Sequence, residues 1–479
     1  MHPLFLVNKT HRSCIRFVFF ALLLANKNLQ AQMLTPFNTH TVQYLKPAGN
    51  IYPVNKTTPK KRFWRASGEL MVAQLIPWSV NKFVRKAEFA NISFSSIWHN
   101  LGNWQWDDNS FNTNQFAHPY HGNLYFNAFR TNGYNFWGSS LAAFSGSFLW
   151  ETCGETHPPA PNDLINTSLG GIALGEMTYR LSQRIFNNRS HGFKRQVSEV
   201  GGFVVNPMGG LNRVIDGQWG RVTNTDPYEN APMALMVDMG GRKANATFKQ
   251  AVNNGKAEFY TRLQLLYGEP FKNFNKPFSN FSVLAELGAD DSAKLNTLQV
   301  NGLLYGKQMG AGKSSNNFLF ITMNYDFYKN AVLNYGAQSF TAKFLSDKKI
   351  GKRSGMQFSG GAGIIALAAV PNKYLYYGEG RNYDYGPGVN LNASIGFNIA
   401  NRVFYNLAYR GSWFSTINGA RSNYFLHTST SELRVAVNKH FSIGSEGGIF
   451  QFKGNFKDYA DYENKYKFLR LYAGYRVVF

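Results

Sequence analysis

From about residue 230 to the end of the chain, apolar and polar residues alternate with the two-residue period of a strand whose faces meet different surroundings. In VNLNASIGFNI, Val389, Leu391, Ala393, Ile395, Phe397 and Ile399 alternate with Asn390, Asn392, Ser394, Gly396 and Asn398. VFYNLAYRGSW, AEFYTRLQLLY and ELRVAVN repeat the pattern. The final KFLRLYAGYRVVF sets Leu469, Leu471, Ala473, Tyr475, Val477 and Phe479 against Arg470, Tyr472, Gly474, Arg476 and Val478. About twelve such segments occur, near 232–240, 256–267, 278–289, 297–307, 316–328, 332–344, 353–368, 388–399, 402–413, 424–437, 440–452 and 467–479, most of a length suited to a tilted strand crossing a bilayer. No apolar run is long enough for a spanning helix, so the pattern predicts a membrane β-barrel of about 12 antiparallel strands over residues 219–479. The connections after the eighth and tenth segments are short and those after the seventh, ninth and eleventh long, the asymmetry such barrels show. A soluble sandwich would also alternate, but its strands are usually shorter and need a common core.

Between about residues 65 and 218 the period is helical, as in FWGSSLAAFSGSFLWETCGE and NDLINTSLGGIALGEMTYRLSQRIF, separated by HPPAP. Asn162 or Asp163 is placed to cap the second of these. Gly146, Ser147, Gly170, Gly171 and Gly175 let helix backbones approach closely. The fold class is therefore mixed: a small helical domain followed by a barrel. A twelve-stranded barrel is on the order of 24 Å across and admits about one helix. The expectation is thus a helical domain at the periplasmic mouth, with Val197–Gly217 as either an inserted or closing element or a connector packed under the barrel.

Lys9, Arg12 and Arg16 precede the apolar stretch Phe17–Ala25, and Ala31 follows, the parts of a secretory signal peptide over residues 1–31. Residues 32–64 are polar and basic and read as a lead-in or tether. Cys153 is the sole cysteine after that signal, so no internal disulfide is expected. The net charge of +23 suggests nucleic acid at first sight, but the basic residues are scattered and no recognition motif accompanies them. Outer-membrane lipid, with its anionic phosphates, is the expected partner instead.

Candidate chemistry lies in the helical region. HPYHGNLYFNAFR places His118 and His121 three apart, a spacing that suits a metal or a general base but supplies no third ligand. WETCGE adds Glu151 and Glu155 on one helical face, and the following helix adds Asp163, Asn166 and Glu176. Carboxylates in an apolar, glycine-rich helix pair need partners or a function. His118, His121, Glu151, Glu155 and Asp163 form the candidate catalytic cluster. The alternative is a polar network fixing helix register through Asn166, Glu176, Arg130 and Arg180. No metal framework, cofactor motif or phosphate-binding glycine loop is legible. His427 and Ser429 share a strand face, a weaker pairing.

HPYHGNLYFNAFRTNGYNFW, FLWETCGE, NDLINTSLGGIALGE and NPMGGLNRVIDG, within Trp98–Asp216, resemble an uncharacterised domain family of Gram-negative outer-membrane proteins. The resemblance implies an envelope location and supplies no catalytic residues. The last strand, with Tyr475, Val477 and Phe479, resembles the signal read by the barrel-assembly machinery, which implies a partner and the cell outer membrane. Two functions are expected from this: a barrel gated by its helices, in transport or envelope structure, or an envelope enzyme acting on lipid or another membrane-associated substrate.

Overall fold

The computed structural model describes residues 60–223, 231–245, 256–269, 275–288, 295–312, 314–329, 333–378 and 380–478. Residues 1–31, where a signal peptide is expected, most of the lead-in and Phe479 lie outside them.

Twelve antiparallel strands close into one barrel in which sequence neighbours pair and β1 meets β12. They are β1 Met233–Asn245, β2 Lys256–Tyr267, β3 Phe281–Gly288, β4 Leu295–Ala311, β5 Ser315–Lys329, β6 Asn334–Ile350, β7 Ser354–Pro371, β8 Tyr383–Ile399, β9 Val403–Ser415, β10 Ser422–Ala436, β11 Phe441–Phe456 and β12 Tyr462–Val478. β8 begins at Tyr383, inside a stretch read from the sequence as loop, because Tyr383 to Gly386 still pair with the end of β7. β12 likewise starts at Tyr462, where Glu463 to Lys465 show no apolar alternation. Ala400 and Asn401 turn tightly between β8 and β9 with φ of 54° and 58°, as a two-residue hairpin requires.

The pairing register sorts every strand residue to one of two faces. Arg262 on β2 bonds Glu432 on β10 and Glu446 on β11, both at 2.7 Å, and Arg410 on β9 bonds Asp326 on β5 at 3.1 Å. These strands are not neighbours, so the pairs cross the lumen and their face is the inner one. Arg434–Asp238 and Arg470–Glu286 join the same network. Towards the long-loop end the lumen holds a buried apolar cluster that includes Tyr335, Phe414, Tyr424, Phe450 and Phe452. At the short-turn end lies a cavity of about 730 Å³, which ends on Glu432 and Arg434. On the outer face Met239, Phe259, Leu319, Ile321, Phe358, Ile364, Val389, Leu391, Ile443 and Leu471 are exposed, an apolar belt.

The first helix of the described residues begins at Phe63, two residues before the expected boundary. The helical domain comprises α1 Phe63–Ser79, α2 Phe94–Asn100, α3 His118–Arg130, α4 Phe136–Leu149, α5 Pro161–Ile165, α6 Gly171–Ile185, α7 Gly192–Val205 and α8 Pro207–Ile215. α3 is central, with α1, α4 and α6 packed on it. No helix of the described residues is long and apolar enough to cross a membrane.

The domain does not plug the barrel. Its partners on the strands, among them Tyr267, Phe281, Val300, Met323, Tyr325, Phe327, Leu367, Ala369, Tyr383 and Tyr385, all carry the parity of the outer face. The lumen holds the ion-pair network and the apolar cluster of the barrel's own side chains. α7 and α8, read as either an inserted element or a connector under the barrel, pack on α6, α3 and one another instead. At the wall, Phe111 packs on Phe327 and Tyr383, Asn114 donates to both tyrosine hydroxyls at 2.7 and 2.9 Å, and Tyr325 donates to the Gln115 carbonyl at 2.6 Å. Between surfaces bathed in lipid such packing and hydrogen bonds drive association, since apolar contact alone gains little.

Candidate functional site

Four wide π-helical turns occur in the described residues of this domain, one at Val80–Val84 after α1 and three around the candidate cluster, at Thr113–Ala117, Trp150–Gly154 and Asn166–Gly170. Such turns shift the helical face by one residue and recur at functional sites. Of the three around the cluster, the first leads into His118, the second contains Glu151 and the third contains Thr167. α3 crosses the third turn at glycine: a Cβ on Gly122 would lie 1.7 Å from the Thr167 carbonyl oxygen, so only glycine fits there. That contact sets His118, one turn earlier, against Thr167, with Nδ1 3.2 Å from Oγ1.

The fold brings together His118, Glu151 and Asp163, one ligand atom from each lying within 4.8 Å of the others. His118 Nε2 is 3.7 Å from Asp163 Oδ1. Asn162 donates to Asp163 Oδ1 at 2.8 Å and to the Tyr385 hydroxyl at 3.1 Å, and accepts from the Asp107 N–H. Glu151 Oε2 accepts from the Ala160 N–H at 3.0 Å, whereas Oε1 is buried without a hydrogen-bond partner. Asp107 Oδ2 is buried and unpartnered too. The barrel supplies the far side: Arg381 donates to the Asp107 carbonyl at 3.1 Å and lies over the Tyr385 ring.

Four carboxyls thus gather with one histidine and one arginine. Burial pushes Glu151 up to about 8, with Asp163 adding to the push and His118 opposing it. Burial and Asp107 hold Asp163 well above the carboxylate range, and burial and Glu151 do the same to Glu155. Burial pushes His118 down, against the pull of Glu151 and Asp107.

His121 stands apart. Its Nε2 lies 3.0 Å from both the Ala73 carbonyl and the Tyr125 hydroxyl, its ring meets Trp150, and burial pushes it down to about 4. Glu176 is gripped by Arg130 at 2.7 and 3.0 Å and by Arg180 at 2.8 Å, an arrangement that ties α3 to α6. Asn166 is fully buried with no partner on either amide atom. His427 faces outward and bonds Tyr409 at 3.0 Å, while Tyr475 stacks on Phe441 and His440 at the short-turn end. Sequence reasoning missed Asp107, Asn162, Thr167, Arg381 and Tyr385. Asn162 and Thr167 lie in the motif NDLINTSLGGIALGE and Asp107 ahead of the first motif, whereas only the docked barrel wall adds Arg381 and Tyr385.

Residues 103–208 match the family model of a domain of unknown function, DUF3943. The DUF3943 segment holds His118, Glu151 and Asp163, together with Asp107 and Asn162. No curated protein sequence matches the chain. Solved structures similar to it include a KdgM porin, 11% identical, covering 50% of this chain and 98% of that one at a TM-score of 0.25. The outer membrane channel DcaP of Acinetobacter baumannii is 12% identical and covers 51% and 96% at 0.24. A TodX monoaromatic hydrocarbon channel mutant is 5% identical and covers 51% and 90% at 0.24. Likeness at this level says nothing of cargo or chemistry.

Proposed function

We propose that this is an outer-membrane protein whose barrel anchors a lipid-flanked DUF3943 domain on its outer wall, and that the domain acts chemically on a membrane-associated amphiphile. The observation that carries this reading is an inside-out distribution of polarity. α1 buries Glu69 and Gln74 beside Ala66, Leu70 and Ala73, while Trp64 at 84% stands exposed with Val72, Leu75 and Ile76, followed by exposed Val80 and Phe83 in the next turn. α4 buries Ser139, Ser140, Gly146 and Ser147 beside Phe136, Ala142 and Ala143, and exposes Trp137, Leu141, Phe144 and Phe148. α7 buries Arg195 and Glu199 and exposes Phe193, Val197, Val200 and Val204. In water such a domain would present a large apolar patch. Against the barrel's belt it continues the lipid-facing surface.

The short-turn end is the periplasmic side by the usual asymmetry of turns. Arg381, in the loop between β7 and β8, then sets the acid–histidine centre towards the outer leaflet. Substrate reaches the centre laterally from lipid, past His118, which keeps 14% of its side-chain surface. A transport reading draws on the 730 Å³ lumen cavity, but that cavity stops at the ion-pair network.

Two measurements on the full chain separate the readings. Purified protein in planar bilayers is expected to give no porin-sized conductance. Mass spectrometry of envelope lipids is expected to reveal a species that depends on the protein and vanishes in His118→Ala, with the barrel's heat-modifiable mobility retained. Open-channel conductance with an unchanged lipid profile would overturn the enzymatic reading.

A further inference from the structure

We infer that His118, Glu151 and Asp163 form a binding site for one divalent transition-metal ion, of the class of Zn²⁺ or Mn²⁺. One imidazole nitrogen and two carboxylate oxygens from three separate helical segments converge within 4.8 Å. Around a tetrahedral zinc the ligand atoms stand ~3.3 Å apart. His118 Nε2 and Asp163 Oδ1, at 3.7 Å, are already near that spacing, too far apart for a hydrogen bond and close enough to share a cation.

The second observation is independent of the cluster's composition. Glu151 is 1% exposed, one of its oxygens is fixed by the Ala160 N–H, and the other has no partner at all. A buried carboxylate oxygen left bare is costly, and a cation satisfies it outright. The supporting shell is that of a metal site as well. Thr167 holds His118 Nδ1, and in the tautomer whose Nδ1–H donates to Thr167 the Nε2 lone pair faces the carboxylates. Between a lone pair and a carboxylate oxygen only a proton or a metal makes the contact attractive. Asn162 orients Asp163 and is itself fixed by the Asp107 N–H and by Tyr385 of the barrel. The π-helical turns at Glu151 and Thr167 bring ligand and support into line. One nitrogen with two oxygens suits a borderline ion such as Zn²⁺ or Mn²⁺ better than Ca²⁺, which takes six or more oxygens, or a thiophilic ion, since Cys153 is not in the set.

The inference goes beyond the enzymatic reading and does not depend on turnover. Full-length protein in detergent, stripped with chelator and dialysed, is titrated with Zn²⁺ alone by calorimetry and with Co²⁺ by absorption. The expected result is one equivalent per chain with visible Co²⁺ ligand-field bands. Affinity should fall at least 100-fold in Asp163→Asn and in Glu151→Gln, while His121→Gln retains it. Wild-type protein that takes up no Zn²⁺ and gives no Co²⁺ bands overturns the inference, whatever the variants do. Binding of equal strength in wild type and Asp163→Asn overturns it too, because the metal would then sit elsewhere. A lipid-active protein without metal would sink this inference and leave the proposed function standing, and a metal-binding protein without lipid chemistry would do the reverse.

Discussion

At the scale of single residues, the helical domain is set by close approach of its helices at glycine. Gly122→Ala would put a methyl group against the Thr167 carbonyl and force the crossing open. The expected loss is ~3 kcal/mol, as for other overpacked contacts, read as a lower thermal midpoint for the helical domain. His121 offers a test in pH. Its folded-state pKa of about 4 lies below the ordinary histidine value of 6.5, so between these values the unfolded chain binds more protons than the folded one. The stability His121 contributes is therefore complete above about pH 6.5 and is lost as the pH falls towards about 4. His121→Gln, which keeps a polar partner for Ala73 and Tyr125, should flatten the fall in stability over that window in chemical denaturation. An unchanged slope would show that burial does not hold His121 neutral. From the sequence the two histidines were alike. They part because His118 and His121 lie nearly one turn apart on α3, where one meets the π-helical turn at Asn166–Gly170 and the other meets α1.

At the scale of elements, strand periodicity was readable wherever a strand faces lipid on one side and the lumen on the other. It failed at the start of β8, where Tyr383 and Tyr385 face outward but are covered by helices, and glycines and proline interrupt the alternation. The inner face is held by charge. Arg262 is fully buried among Asp238, Glu432 and Glu446, at 3.1, 2.7 and 2.7 Å. Arg262→Ala leaves Asp238 and Glu432 with Arg434 and Glu446 with Arg470 as their remaining counter-charges, and should cost about 3 kcal/mol, visible as a lower denaturant midpoint for the barrel. The network sets Arg262, Arg410, Arg434 and Arg470 against Asp238, Glu286, Asp326, Glu432 and Glu446, so it takes up none of the net positive charge, which stays with the rest of the molecule.

At the scale of the whole molecule, the helical domain is a rider on the outer wall. If its exposed apolar faces meet lipid, spin labels at Val72→Cys, Leu141→Cys and Val204→Cys, each in a Cys153→Ser background, should collide more with oxygen than with a water-soluble nickel chelate once the protein is in bilayers. The reverse preference would place the domain in water and remove the support for lateral substrate entry. The expectation of a domain at the barrel mouth followed from counting available volume, which admitted about one helix, whereas the described helices pack on the outer wall. It did not say which surface would receive them.

The sequence by itself pointed to a membrane barrel of about twelve strands, to the two faces of the strands that alternate cleanly, and to several glycines at which helices meet, because these follow from local periods of two and of about 3.6 residues. It also named His118, Glu151 and Asp163 among the candidates. Only the tertiary structure decided that these three converge while His121 does not, that Arg381 and Tyr385 of the barrel complete the centre, and that the helices sit outside the wall. Each of these depends on contacts between segments far apart in the chain, where alternation and spacing carry no information about which face will meet which.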